Sequence, residues 1–571
     1  MRLKRSLFLL LITLATASSA IAQDHAKTID ELVRKYQEYG QFNGAVLVAE
    51  KGKVILKKGY GKANMEWDIP IATDTKFRIG SVTKQFTAAM IMQLVDEGKV
   101  KLDAKMTEYL PDYRKDTGDK VTIHHLLNHT SGIPSYTNGE FFREFSRDPY
   151  TVDEFVKKFT MGDLEFEPGS KWNYNNSGYF LLGAIIEKVT GKSYAENLSE
   201  RITGPVGMTN TGYDTHDPLI KNRAQGYQKT PNGFTNAPYL DMSLPYAAGS
   251  MYSTVEDLYK WDQALYGDKL MSAASKQKMF TPGLQEYGYG LRIVDRKIGN
   301  TDRTAKEISH GGGINGFNSL FTRLVDGKHL IVILDNVGQG RYHDAITSGV
   351  VSILNGLSYE NPKMSIAEAL NVTANNRGGA AAVAKYREFK KKNPDKYDFR
   401  EGELNTLGYQ LIRSGKTKDA IEVFKLNVEM YPEASNPYDS LGEAYLKDGD
   451  KINAVANYKK SLELNPANLG AKAAIDKIEG REVKVDSSVL EKYSGVYEAG
   501  PIGKITVRVA DGQLMAKPES QPEQVLSPQS ENVFFIAAVG ARITFDVGDD
   551  AKVTGMTINQ GGQELKAPKI N

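Results

Sequence analysis

Between residues 364 and 480 the chain repeats itself, and no other feature restricts its fold as tightly. Leu407, Gly408, Gly415, Ala420, Phe424 and Pro432 recur 34 residues later as Leu441, Gly442, Gly449, Ala454, Tyr458 and Pro466. A shorter upstream match, Ala382, Tyr386 and Pro394, keeps the same internal spacing. Small residues at fixed places in successive helical patterns let helices approach closely, so the period predicts stacked helix pairs, two complete and one partial. Each such pair buries its apolar face only against its neighbours. The repeat therefore separates a long segment, residues 23–360, from a short one, residues 487–571.

The long segment has strand signals at both ends. Ala45-Val46-Leu47-Val48 and Val54-Ile55-Leu56 flank Glu50-Lys51-Gly52-Lys53, and Ser319 to Leu324 and His329 to Leu334 are joined through Asp326-Gly327. Apolar runs around a short polar, Gly-containing turn are hairpin patterns. Helical patterns lie between them, notably Phe86 to Val95 and Tyr179 to Val189. This order predicts one α/β (α+β) domain whose antiparallel sheet is built from both ends of the segment around a helical region. After Ser487 the helical pattern stops, and the runs Ile505 to Val509, Val533 to Ile536 and Arg542 to Asp546 predict a small all-β domain.

Arg2, Lys4 and Arg5 precede the apolar run Leu7 to Leu14, and Ala20-Ile21-Ala22 follows. That is the pattern of a secretory signal peptide, residues 1–22, cleaved near Ala22. The expectation is a bacterial periplasmic or secreted protein. The apolar run is well short of the roughly 20 residues a spanning helix needs, and no later segment is long and apolar enough. Lys and Arg number 72 against 70 Asp and Glu; without the leader's three cations, 69 face 70. A charge so near zero excludes a nucleic-acid binder that works by neutralising phosphates. The absence of cysteine excludes disulfides, a thiolate nucleophile and Cys-ligated zinc.

A hydroxyl nucleophile needs a base within hydrogen-bond reach. In Gly80-Ser81-Val82-Thr83-Lys84, Ser81 opens an apolar helix, and residues three apart share a helix face, so Lys84 lies one turn from the Ser81 hydroxyl. The alternative for Ser81 is a helix N-cap. A second Ser-x-x-Lys, Ser275 to Lys278, lacks a following apolar helix and reads as surface. Glu167-Pro168-Gly169 leads through Tyr174 and Asn176 into another apolar helix; a Tyr hydroxyl near a Lys ammonium is stabilised as phenolate, and the Asn amide offers donor and acceptor. Tyr136-Thr137-Asn138 has the same spacing without the Pro-Gly turn or the helix, and reads as loop. Ser309-His310-Gly311-Gly312-Gly313 precedes the second hairpin, where glycines let a substrate lie against a strand edge.

In this order the three elements resemble the serine β-lactamase and penicillin-binding-protein family, in its class C β-lactamase-related branch of D-alanyl-D-alanine carboxypeptidases, D-aminopeptidases and esterases. Further matches are Phe77-Arg78-Ile79-Gly80, Leu126-Leu127-Asn128-His129-Thr130-Ser131-Gly132-Ile133 and Ala248-Gly249-Ser250-Met251-Tyr252-Ser253-Thr254. The resemblance implies that Ser81 is acylated, that Lys84 and Tyr174 share the general base and acid work, and that Asn176 orients the substrate amide. It implies substrate contacts at His310 and Gly312, and an oxyanion hole from the Ser81 and Gly313 N–H groups. His310 stands where the family usually has Lys. His is charged only partly near neutral pH, which moves the expectation away from a dedicated β-lactamase.

The expected substrates are D-amino-acid peptides or amides, small esters, or β-lactams, with no metal and no cofactor. His125 and His129 are four apart but lack the Glu of a zinc-protease helix; one reads as loop and the other as structural. No Gly-x-Ser-x-Gly elbow is present. The 34-residue period resembles the tetratricopeptide repeat, whose usual role is to bind a protein partner; so short an array can equally serve as a spacer. The alternative for the whole chain is a non-catalytic envelope scaffold whose repeats recruit partners.

Overall fold

Strand-forming residues at the two ends of the long segment meet in one sheet. The computed structural model describes residues 24–570 apart from 139–140, 231–232, 482, 511, 520, 537, 549–551 and 561–562. The leader sequence, residues 1–22, lies outside the described residues. The described chain divides into two compact units, one ending at Pro362 and one beginning at Lys363.

In the first unit six antiparallel strands lie in the order Arg292–Lys297, Thr304–Ile314, Phe317–Leu324, His329–Asp335, Gly44–Glu50 and Lys53–Tyr60. Gly44 pairs with Asp335 and Ala49 with Leu330, so the N-terminal hairpin is hydrogen-bonded to the C-terminal one, as the sequence predicts. Alternate side chains of a strand face opposite ways. Ala45, Leu47 and Ala49 enter the large core shared with the helical region, whereas Val46 and Val48 pack with Ile29, Leu32 and Val33 from the helix over residues 24–38 and with Ile346 and Val350 from the helix His343–Leu354. Both faces are covered, which explains why Gly44–Glu50 reads as an unbroken apolar run.

The helical region is centred on Thr83–Asp96, whose residues Thr83 to Met92 are all buried. Asn176–Thr190 packs beside it, begun by Asn175, whose Oδ1 accepts the Gly178 N–H at 2.7 Å, and ended by Gly191 at φ 69°. The helix Val255–Tyr266 is tied to the sheet by a buried ion pair: Arg323 Nε donates to Asp262 Oδ1 at 2.6 Å.

In the second unit the helices Glu401–Arg413 and Thr417–Met430 are followed 34 residues later by Ser435–Asp448 and Lys451–Leu464. The shared small residue has a steric cause. A Cβ on Gly408 would lie 2.4 Å from the Phe424 ring, and one on Gly442 would lie 2.9 Å from the Tyr458 ring. From Gly495 to Pro568 eight antiparallel strands follow one another in sequence order. Tyr497 bridges to Lys569, and the Ile570 N–H donates to Val496 O at 2.8 Å, so the first strand meets the last in a closed up-and-down barrel. Tyr497, Leu514, Leu526, Phe534, Phe545 and Met556 fill its core.

Candidate active site

Ser81 lies in a one-turn 3₁₀ segment, Gly80–Val82, that runs into the Thr83–Asp96 helix. Its hydroxyl caps nothing, since the helix has no side-chain cap. The turn is pressed against the strand Thr304–Ile314. Gly80 has φ +49°, and a Cβ there would lie 2.9 Å from the Gly313 nitrogen; one on Gly312 would lie 2.0 Å from the Ile79 carbonyl. Ser319 Oγ donates to that carbonyl at 2.7 Å and pins the turn. The edge strand Arg292–Lys297 pairs only with Thr304 to Ser309, so His310 to Gly313 keep one strand edge free beside Ser81.

Lys84 is wholly buried, with Nζ 3.1 Å from Ser81 Oγ, 2.7 Å from Asn176 Oδ1 and 2.8 Å from the Ala248 carbonyl. Burial pushes its amine well below the ordinary lysine value, and among the described residues no carboxylate pairs with it to oppose that. Tyr174 is half-buried, its ring centroid 4.9 Å from Lys84 Nζ and its hydroxyl near that of Ser81. Burial pushes the phenol up, and the Ser81 contact only partly offsets this. The phenolate beside an ammonium that residue types suggest is therefore not the resting state. Burial shifts each group toward its neutral form.

Asn176 opens the second helix rather than lying in the turn before it. Its Nδ2 donates to Thr137 Oγ1 at 2.9 Å and its backbone N–H to Ser135 Oγ at 3.1 Å. The Tyr136-Thr137-Asn138 segment is thus a turn, as expected, but Thr137 holds the Asn176 amide.

His310 is buried, and burial together with the nearby Lys84 charge lowers its pKa to about 3. Its Nδ1 lies 2.6 Å from the Gly311 carbonyl, which only accepts, so that nitrogen carries the proton. Nε2 then accepts from Tyr287 Oη at 2.9 Å. His310 faces the site as a neutral ring with both nitrogens engaged. A cavity of about 680 Å³ lies alongside, lined among others by Trp172, Tyr174, Tyr287, Arg292, Arg296, His310 and Gly311 to Gly313. Arg296 is paired with Glu307 and Asp344, and the exposed Arg292 with Glu286 at 3.1 Å.

Ser275 is not on the surface. It is buried in the helix Ala273–Met279 and donates to Asp96 Oδ1 at 2.7 Å, because the side chain of Asp96 ties that helix down; Lys278 is exposed. His125 lies in the helix Ile123–Leu127, where its Nδ1 takes the Thr122 N–H, and His129 lies in the turn after it. His129 is buried and touches the rings of Tyr174 and Tyr287 at centroid distances of 4.4 and 4.5 Å. Sequence reading missed it and Tyr287. The only available signal for His129 was its place in the Leu-Leu-Asn-His-Thr-Ser-Gly run, and Tyr287 offered none.

A hydroxyl with a buried amine 3.1 Å from it, at a helix start pressed against a strand edge, is an arrangement suited to nucleophilic catalysis. The chain belongs to the Beta-lactamase family, whose profile matches residues 29–350. Residues 480–568 match a second family, described as Domain of unknown function (DUF3471). Penicillin-binding protein 4* of Bacillus subtilis (strain 168) is 32% identical over 365 residues, 60% of this chain and 78% of that protein. Teichoic acid D-alanine hydrolase of Staphylococcus aureus is 30% identical over 305 residues, 53% of this chain and 73% of that protein. Among solved structures, the D-amino acid amidase from Ochrobactrum anthropi SV3 superposes with a TM-score of 0.52 at 26% identity, covering 58% of this chain and 99% of the amidase.

Proposed function

We propose that the first unit hydrolyses its substrate through an acyl-enzyme on Ser81. The observation that carries this reading is the buried Lys84 amine, 3.1 Å from the Ser81 hydroxyl. A neutral amine has two N–H bonds and one lone pair. The N–H bonds go to Asn176 Oδ1 and the Ala248 carbonyl, which leaves the lone pair for the Ser81 proton. Ser81 Oγ attacks the substrate carbonyl carbon, and its proton passes to Lys84. The Ser81 and Gly313 N–H groups receive the oxyanion. Tyr174, protonated at rest, gives its proton to the leaving nitrogen or oxygen as that bond breaks, and is reprotonated by Lys84. Water then attacks the acyl carbon, delivers one proton back through the same pair, and frees the acid and the Ser81 hydroxyl. Asn176, its amide held by Thr137, keeps one N–H for the substrate's amide oxygen.

The substrates we propose are D-amino-acid peptides and amides and small esters, with β-lactams less favoured. A neutral His310 offers no positive charge to a substrate carboxylate. The names of the relatives, a teichoic acid D-alanine hydrolase and a D-amino acid amidase, support D-configured substrates. We further infer export to the bacterial envelope, from Arg2, Lys4, Arg5 and the apolar run that follows. No described helix is long and apolar enough to cross a membrane. The helix pairs of residues 401–464 are read as tetratricopeptide-type repeats acting mainly as a spacer.

A fluorophosphonate or fluorescent penicillin should label Ser81, located by peptide mapping, and labelling that survives Ser81→Ala would refute the mechanism. Lys84→Ala and Tyr174→Phe should each lower kcat/KM on the best substrate by roughly 10²–10⁴-fold. Nitrocefin, p-nitrophenyl esters, D-Ala-D-Ala peptides and D-aminoacyl anilides compared side by side would rank the substrate classes.

A further inference from the structure

The turn that carries Tyr174 has few elements of its own to hold it. Its backbone hangs on the segment that follows the helix Ile123–Leu127. The Asn173 N–H donates to the His129 carbonyl at 2.9 Å, and the Asn175 N–H donates to His129 Nδ1 at 3.1 Å. Gly169 N–H adds a bond to the Thr130 carbonyl at 2.8 Å. Both neighbours of Tyr174 are therefore fixed by one residue, whose ring also packs on the Tyr174 ring at 4.4 Å and on Tyr287 at 4.5 Å.

His129 is unusual for a residue that merely fills space. It is 1% exposed and sits at φ +63°, in the left-handed region that favours Gly and Asn. Because Nδ1 accepts the Asn175 N–H, the neutral ring carries its proton on Nε2, and that buried nitrogen has no partner among the described residues. An apolar side chain would fill the same volume without leaving a buried donor unpaired. The feature that an apolar side chain cannot supply is the bare Nδ1 at the Asn175 N–H.

We propose that His129 is a positioning residue for the reaction: its Nδ1 and carbonyl clamp Asn175 and Asn173, and its ring seats the Tyr174 phenol beside Ser81. It has no hydrogen bond to Ser81 among the described contacts and acts through Tyr174. The proposal rests on Tyr174 being the proton donor described above, but the clamp itself is measurable without turnover.

The test compares H129N and H129Q in the full chain. Asn tolerates the left-handed backbone and carries Oδ1 where His has Nδ1; Gln puts its polar atoms one bond farther, where Nε2 lies. Hydrogen–deuterium exchange over residues 169–176 should stay slow in H129N and become at least tenfold faster in H129Q. With a p-nitrophenyl ester, H129Q should lose on the order of 10²-fold in kcat with KM within about threefold, as for a displaced catalytic group, and H129N should recover most of that loss. In the Tyr174→Phe background, H129Q should cost little more, because both changes remove the same contribution. The proposal is overturned by equal exchange in the two variants, by a loss confined to KM, by additive effects with Tyr174→Phe, or by both variants failing to fold in a thermal melt. Wild-type protein that neither labels nor turns over would count against the proposed mechanism, while the exchange comparison would still decide the clamp.

Discussion

At the scale of single residues, the site is governed by removal of water rather than by ion pairs. Lys84, Tyr174, His129 and His310 are all shifted toward their uncharged forms, and burial is the first cause in each case. This has a consequence for stability. His310 is surrounded by Lys84, His129, Tyr174 and Tyr287, with no acid facing it among its described contacts. Folded, it stays neutral down to about pH 3, whereas the unfolded chain takes up its proton below about 6.5. The unfolded state then binds more protons, so stability is lost as pH falls from about 6.5 toward 3. Urea unfolding of His310→Asn should show a shallower decline between pH 6.5 and 4 than wild type. An identical decline would mean that His310 is protonated in the folded protein.

At the scale of elements, what matters is how closely the Ser81 turn meets the strand Thr304–Ile314. That approach requires residues without side chains at 80 and 312. A methyl group at Gly312 would lie 2.0 Å from the Ile79 carbonyl and 2.4 Å from Ser319 Oγ, so the strand or the turn must shift. Gly312→Ala should cost roughly 1–3 kcal/mol in urea unfolding, as other overpacked sites do, and lower kcat by moving Ser81 away from the Gly313 N–H, its proposed partner in the oxyanion hole. Unchanged kcat would show that the contact is not needed for catalysis. The Gly-rich run was legible in the sequence; which carbonyl each glycine must clear was not, because that carbonyl comes from a strand-to-turn contact 233 residues away, Ile79 to Gly312.

At the scale of the whole molecule, each compact unit has cores of its own. The first has Leu47, Phe86 and Trp261 on one sheet face and Val46, Ile333 and Val350 on the other; the second has separate clusters around Phe424 and around Phe545. A fragment of residues 24–362 should therefore fold and retain turnover of small substrates within about threefold of the full chain, the remainder acting outside the chemistry. A fragment that fails to melt cooperatively, or that folds but loses activity, would show that the second unit contributes to the site. The 34-residue period, the strand signals at both ends of the long segment and the all-β end were each visible from local periodicity, and each appears as an element of that kind.

By itself the sequence placed the proposed nucleophile one helical turn from its proposed base, because three residues along a helix is a distance set by backbone geometry alone. It also determined the order of the architectures, because hydrophobic period is a local property. Only the tertiary structure decided that Lys84, Tyr174 and His310 all shift toward their uncharged forms, since each shift depends on how much water the rest of the fold removes. It alone brought His129, Thr137 and Tyr287 into the site. Their contacts cross loops and strands far apart in the chain, and no residue type or spacing encodes such a meeting.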